Sequence, residues 1–335
     1  MEVKSYLIIA SFIVAFVLIL PAAIVIPFSD AKKQAVPANQ TKQISVPETP
    51  LLTVSVYRSH EKKVESVPLE QYLVGVVASE MPATFEMEAL KAQALASRTY
   101  LVNYLLQSPD FNMPEGAEVT DTVMHQVYQD SRQLKKEWGS DYDWKIAKIK
   151  KAVQATKGEI ITYNGQPIDA LFFSASNGYT ENSEAYWLHA IPYLKSVPSP
   201  WDRNSPKFLS HTAMSVEKVN KALGVQISKS GPIGEIIETT PGHRVGKIEI
   251  AGKTFTGRDV REKLGLRSTD FSMKRKGDRI LITTKGWGHG VGMSQYGANG
   301  MAKEGNRYKD IVKYYYQGVS ISALEPYTAK LTAKK

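Results

Sequence analysis

The chain has 335 residues, 43% hydrophobic and 22% charged, with a net charge of +9. That is an ordinary globular composition, long enough for one large domain or two smaller ones. There is no cysteine, so disulfides, thiolate nucleophiles and thiolate metal sites are excluded. The basic residues are dispersed and no nucleic-acid motif occurs, so nucleic acid is not expected as a partner.

Tyr6 to Phe28 carries no charge. As a helix it spans about 34 Å, enough for a hydrocarbon core of about 30 Å, and Pro21 kinks such a helix without forbidding it. The apolar run exceeds a usual signal-peptide core and no small-x-small site follows directly, which favours a retained membrane anchor. Ser29 to Pro50 is polar, holds Pro37, Pro47 and Pro50, and reads as a linker. Leu52, Val54 and Val56 then alternate with Thr53, Ser55 and Tyr57, a strand pattern. His60 to Lys63 makes a turn and Val64 to Val67 returns.

Val67 to Tyr104 reads as two helices meeting at an acidic elbow. Leu69, Leu73, Val76 and Val77 form one helical stripe, and Leu90, Ala94, Leu101 and Leu105 another. Pro68 suits a helix start, Pro82 ends the first helix at Met81, and Thr84 is the expected N-cap of the second. Glu80 thus lies at the negative pole of a helix among Val76, Val77, Ala78 and Met81. Both influences favour its protonated form, which general-acid chemistry needs. The competing reading is a solvated surface charge. Glu86 and Glu88 fall in the first turn of the second helix, where carboxylates stay ionised.

Further on, 110–128 is expected to lie across the surface, with Asp121 as a turn residue and His125 as a hydrogen-bonded structural histidine. Lys145 to Thr156 reads as a helix closed by Gly158. Asn164-Gly165 signals a hairpin between 159–163 and 168–174, loosened by Pro167. Ser174-Ala175-Ser176-Asn177-Gly178-Tyr179 ends an apolar strand in hydroxyls, a turn and an aromatic. That is a candidate sugar-binding rim, since aromatics pack on apolar sugar faces and Ser or Asn bond hydroxyls; taken in isolation, an ordinary strand-end turn is the better reading. Residues 205–284 look like an α+β insertion without chemistry of its own. Gly286 to Gly292 holds four glycines in seven residues, either an irregular loop presenting Trp287 and His289 or a tight packed turn. It lacks the Lys-Ser/Thr of a phosphate loop. Helices are expected over 293–302 and around Tyr308 to Tyr315.

Three motifs together resemble the SpoIID/LytB family: Val74-Gly75-Val76-Val77-Ala78-Ser79-Glu80-Met81-Pro82 with Glu88 to Ala94 and Ser97-Arg98-Thr99-Tyr100; Ser174 to Asn182; and Gly286 to Ala298. The resemblance covers roughly residues 50–325. It implies a peptidoglycan lytic transglycosylase of engulfment in sporulation, with Glu80 as catalytic acid. It implies SpoIIM and SpoIIP as partners at the septal and engulfing membranes, and residues 29–335 outside the cytoplasm. On that footing Ser174, Ser176, Asn177, Tyr179, Trp287, His289, Gln295 and Tyr296 are candidate glycan-binding residues, and Glu88 a back-up acid. Some relatives bind zinc where this chain has Thr120, Met124 and His125. One histidine does not make a structural zinc site, so no metal and no cofactor are expected.

The expected fold class is therefore α+β. A membrane segment over 1–28 and a linker over 29–50 precede a mixed catalytic core over 51–325 holding the 205–284 insertion, and a tail follows over 326–335. No His-Glu-x-x-His or Gly-x-Ser-x-Gly pattern supports a zinc amidase or serine hydrolase. Two alternatives remain open. One is a muramidase pairing Glu80 with Glu88 or Asp121; the other is a wall-binding scaffold that activates an amidase.

Overall fold

The computed structural model describes residues 52–107, 113–187 and 189–334. Contacts divide the chain into Met1–Thr49 and Pro50–Lys335, and the described residues belong to the second unit. The expected membrane segment and linker lie outside them. Among the described residues no helix is long and apolar enough to cross a membrane.

The chain opens with β1 (Thr53–Arg58) and β2 (Lys63–Pro68), followed by α1 (Leu69–Glu80) and α2 (Met87–Gln107). Next come β3 (Val119–Thr120), α3 (Ser131–Trp138), α4 (Tyr142–Ala155), β4 (Glu159–Tyr163), β5 (Gln166–Pro167), β6 (Phe172–Phe173) and α5 (Glu184–Trp187). A second stretch holds β7 (Leu209–Ser215), α6 (Val216–Leu223), β8 (Glu235–Thr239), β9 (Val245–Ile250), β10 (Lys253–Thr256), α7 (Gly257–Leu264), β11 (Asp270–Lys276) and β12 (Arg279–Lys285). β13 (Met293–Ser294), α8 (Gln295–Lys303), α9 (Tyr308–Tyr315), β14 (Ser320–Ala323) and α10 (Glu325–Lys334) complete it. The class is mixed α and β, with the described strands in small separate sheets.

α2 is the axis of the main core. It is buried nearly all round, from Ala89 through Val102, and a helix without a polar face belongs in a core. Arg98 is fully buried on it and grips both Glu70 oxygens, at 3.2 and 2.7 Å, and the Thr156 carbonyl at 2.8 Å. That fork fastens α1 and the end of α4 to the axis. A separate apolar cluster gathers Met214, Val219, Val245, Ile250, Val260, Phe271 and Ile282 within the 209–285 stretch. The chain runs into it along β7 and out along the neighbouring β12, where Leu209 pairs with Lys285. The Gly286 N–H donates to the Phe208 carbonyl at 2.7 Å.

Four expectations are corrected. α2 begins at Met87, and Glu86, not Thr84, supplies the carbonyl that Leu90 N–H meets at 3.1 Å. The 110–128 stretch is not all surface: Val119 and Thr120 form a buried strand parallel to β1, and Tyr128 is buried. The return strand of the Asn164-Gly165 hairpin is only Gln166–Pro167; Phe172–Phe173 pairs instead with β13. The stretch expected as a tail, from residue 326 on, is helical in α10 up to Lys334 and buries Tyr327 and Leu331 in the main core.

Candidate active site

α1 ends as its sequence dictates. Met81, ahead of Pro82, leaves helical geometry (φ −130°, ψ 133°), and its N–H closes the last turn on Val77 at 3.1 Å. Glu80 is the final helical residue, beside buried Val76, Val77, Ala78 and Met81. Its carboxyl is half-buried, and Oε1 accepts the Val127 N–H at 3.0 Å. Burial pushes its pKa above the usual carboxylate range, against a smaller opposite pull from the Val127 N–H. Among the described residues no hydrogen bond reaches Oε2. One oxygen is thus fixed and the other is left to carry a proton.

The donor arrives because a loop lies flat on α1. Gly75 makes this possible: a Cβ there would stand 2.4 Å from the Tyr128 ring and 2.5 Å from the Gln129 carbonyl. The Tyr128 ring stacks on Tyr72 at 5.2 Å, and the Ser79 hydroxyl lies 3.2 Å from Gln129 Oε1. His125 belongs to the same loop. Its Nδ1 accepts the Thr120 N–H at 3.2 Å, which leaves the proton on Nε2, 2.8 Å from the Tyr104 hydroxyl. Burial lowers its pKa, so it is an uncharged strut. Met124, beside it, is exposed. Among the described residues no three His, Cys, Asp or Glu side chains gather as metal ligands.

Glu88 and Asp121 are occupied. Glu88 holds Lys91 at 2.6 Å and the Tyr308 N–H at 2.9 Å. Burial opposes its ionisation, but those bonds and the Lys91 and Arg307 charges outweigh it, so its pKa is lowered. The expected back-up acid is thus doubly held, with its pKa moved away from that of a proton donor. Asp121 meets Arg58 Nε at 3.2 Å and the Ser59 N–H at 3.0 Å.

Several expected glycan contacts are bonded within the fold. Ser176 is fully buried and donates to Asp202 Oδ2 at 2.8 Å. Asp202 also takes the Ser199 hydroxyl at 2.6 Å and the Ser294 hydroxyl at 2.6 Å. Burial still pushes its pKa up. This one carboxylate joins the 174–182 motif, the Pro198-Ser199-Pro200 turn and the start of α8. Asn177 spends its amide on the Gly242 carbonyl at 3.0 Å and Asp270 at 2.9 Å. Gln295 is buried and meets Gln93 at 3.3 Å across α2 and α8. Among the described residues the buried Ser174 hydroxyl has no partner, while its carbonyl takes the Tyr296 N–H at 3.1 Å. The Tyr179 ring packs edge-on against His243 at 4.5 Å.

The glycine-rich loop is a packed turn. Gly286, Gly288, Gly290 and Gly292 all have positive φ, and a Cβ at Gly292 would fall 2.1 Å from the Leu171 carbonyl. The His289 ring is boxed by Phe173, Tyr186 and Trp187, and its Nδ1 accepts the Val291 N–H at 3.1 Å. Burial first, then the Arg261 charge, drives its pKa down to about 3. Trp287 remains half-exposed under the Arg267 guanidinium at 4.1 Å and Lys207 at 5.0 Å. Tyr296, edge-on to Phe85 at 4.9 Å, lines a hollow of about 490 Å³ with Thr84, Trp201 and Asn204, next to the elbow. Of the expected contacts, Ser174, Asn177, Tyr179, Trp287, His289 and Tyr296 keep accessible surface, whereas Ser176 and Gln295 are buried.

The sequence profile of the SpoIID family, "Stage II sporulation protein", matches residues 57–163. Stage II sporulation protein D of Bacillus subtilis (strain 168) is 50% identical over 343 residues, covering 99% of this chain and all of that protein. The chain belongs to the stage II sporulation protein D family. Its counterpart in Bacillus amyloliquefaciens is also 50% identical, over 344 residues, 99% of this chain and all of that one. A protein named amidase enhancer in B. subtilis is 31% identical over 305 residues, 75% of this chain and 40% of that longer protein. The family profile thus spans Glu80, its Val127 donor and Arg58.

Proposed function

We propose that this chain is a peptidoglycan lytic transglycosylase of sporulation, with Glu80 as its single acid and base. The observation that carries the reading is the half-buried Glu80 carboxyl, one oxygen held by Val127 N–H, with its pKa raised by burial. Such a group holds its proton to higher pH than a free carboxyl and is better placed to deliver it. Protonation of the glycosidic oxygen lets its bond to C1 of N-acetylmuramic acid break. The carboxylate then takes the proton of the same sugar's C6 hydroxyl while O6 bonds to C1. The products are a 1,6-anhydro end and a free hydroxyl, no water is consumed, and Glu80 ends protonated. A held intramolecular nucleophile stands in for a second carboxylate. This agrees with Glu88 and Asp121 being ion-paired, which argues against a two-carboxylate muramidase.

Anchoring through Tyr6 to Phe28 with the folded part outside the cytoplasm, and work beside SpoIIM and SpoIIP, complete the proposal; their support is the uncharged run and the family. The test is Glu80→Gln against defined glycan strands, read by mass spectrometry. Wild type should release anhydro ends, one water lighter than reducing ends, and the variant should lose about 10²- to 10⁴-fold in rate. Undiminished anhydro products from the variant would refute the assignment. The likeness to the amidase enhancer favours one second reading, a wall-binding protein that stimulates an amidase. Cleavage by the pure protein without partners separates the two.

A further inference from the structure

Arginine cannot shed its charge, so a guanidinium out of water needs anions around it. Arg58, at the end of β1, is 1% exposed. Its Nε meets Asp121 at 3.2 Å, and its Nη1 meets Glu65 at 3.0 Å and Asp130 at 3.4 Å. Its Nη2 donates to Gln133, and its face covers the Tyr128 ring at 4.9 Å. Asp121 and Asp130 are the two feet of the loop that carries Val127. Asp121 leaves β3 with its N–H on the Tyr57 carbonyl at 3.1 Å, and Asp130 caps α3 with a reciprocal Gln133 bond. One buried cation therefore closes both ends of the segment whose N–H holds Glu80.

We infer that Arg58 is a positioning residue for Glu80, acting through the Asp121–Asp130 loop; this rests on the transglycosylase reading. None of Arg58's partners touches Glu80. The link runs from guanidinium to loop feet, from feet to Val127, and from the Val127 N–H to Oε1. Between its feet the loop has turn bonds, His125 N–H to Thr122 at 3.1 Å and Tyr128 N–H to Asp121 at 3.3 Å, and side-chain bonds from His125 to Tyr104 at 2.8 Å and from Gln126 to the Ser97 carbonyl at 3.4 Å; Arg58 adds the charged clamp at the feet. A misplacement of about 1 Å at a reacting group costs about 10²-fold.

The pH response follows from what surrounds the acid. Tyr72 on α1 feels the Glu80 charge; beyond it stand Tyr100 on α2 and Tyr128 and Asp121 on the loop. Burial pushes Tyr100 and Tyr128 up to about 12 and Tyr72 higher still, so none of the three ionises in the working range. Burial is the larger influence on Glu80. A loosened loop admits water, and the alkaline limb of the rate profile moves to lower pH.

The experiment compares full-length wild type, Arg58→Gln and Asp130→Asn on glycan strands across pH, with thermal unfolding of each. Asn caps a helix as well as Asp does, so Asp130→Asn removes one anion without removing the cap. Both variants should lose kcat, about 10- to 100-fold for Arg58→Gln and less for Asp130→Asn. KM should change less than about two-fold, with the alkaline limb displaced downward. Folded variants with wild-type kcat and an unmoved limb would overturn the inference. If Arg58→Gln does not fold, Asp130→Asn decides alone. Cleavage surviving Glu80→Gln would instead refute the acid assignment itself.

Discussion

Gly75→Ala should destabilise this protein, although helix propensity alone says the opposite. In the middle of α1 an alanine is worth about 1 kcal/mol over glycine. The new methyl, however, would stand 2.4 Å from Tyr128 Cε2 and 2.5 Å from the Gln129 carbonyl. Neither neighbour yields freely. Tyr128 is clamped between Tyr72 and Arg58, and Gln129 adjoins the Asp130 cap. Overpacking of this kind costs about 1–3 kcal/mol. Pushing the loop off α1 also forfeits the Tyr72–Tyr128 stack, about 0.5–1.5 kcal/mol, and the Val127 bond to Glu80, about 0.5–1.5 kcal/mol. The costs reach about 2–6 kcal/mol against a gain of about 1, so a net loss of about 1–5 kcal/mol is expected. Urea unfolding measures it, and cleavage assays on the same samples should fall in parallel because the Glu80 donor moves. A variant as stable as wild type, or more so, with full activity would refute the close approach of loop and helix.

Glu80→Gln makes a separate stability prediction. The folded pKa of Glu80 lies above its ordinary value of 4.5, so the native state holds the extra proton and stability falls as pH rises through that window. Glutamine cannot ionise and keeps an acceptor for Val127; the variant should match wild type near pH 4 and exceed it near pH 7.5. Lower stability at pH 7.5 by chemical unfolding would contradict this. His289 has the opposite sign: with a folded pKa of about 3 against 6.5, its contribution is present above pH 6.5 and is lost as pH falls toward 3. Its ring signals in NMR should stay flat from about pH 8 to 4, and a midpoint near 6.5 would show the aromatic box to be open.

The elbow was legible because proline and apolar neighbours leave local marks. Pro82 set the end of α1, and the company of Glu80 set the direction of its pKa. The donor was not legible, because a backbone N–H has no residue-type signature and Val127 reads like any valine. Gly75 was the available signal: a glycine inside a strong helical stripe marks a close approach. Nothing local in the sequence marks Arg58, a charge at a strand end, or Asp202, an acid two residues after a proline. Burial gave both their importance, and burial by distant segments is not a local property. The polar residues of the 174–182 motif are ambiguous for a chemical reason. Ser and Asn that bond a sugar and Ser and Asn that bond a buried carboxylate are the same residues, and only the partner distinguishes them.

The 209–285 stretch leaves the main body and rejoins it through paired neighbours, Leu209 with Lys285 and Phe208 with Gly286. Replacing it with a short turn would require no rethreading elsewhere. Among the contacts that would resist removal, one is charged and buried: Glu181 relies on the Gly242 N–H at 3.0 Å and on Arg244 at 3.6 Å. A trimmed homologue that dispenses with the lobe should therefore carry an uncharged residue where this chain has Glu181.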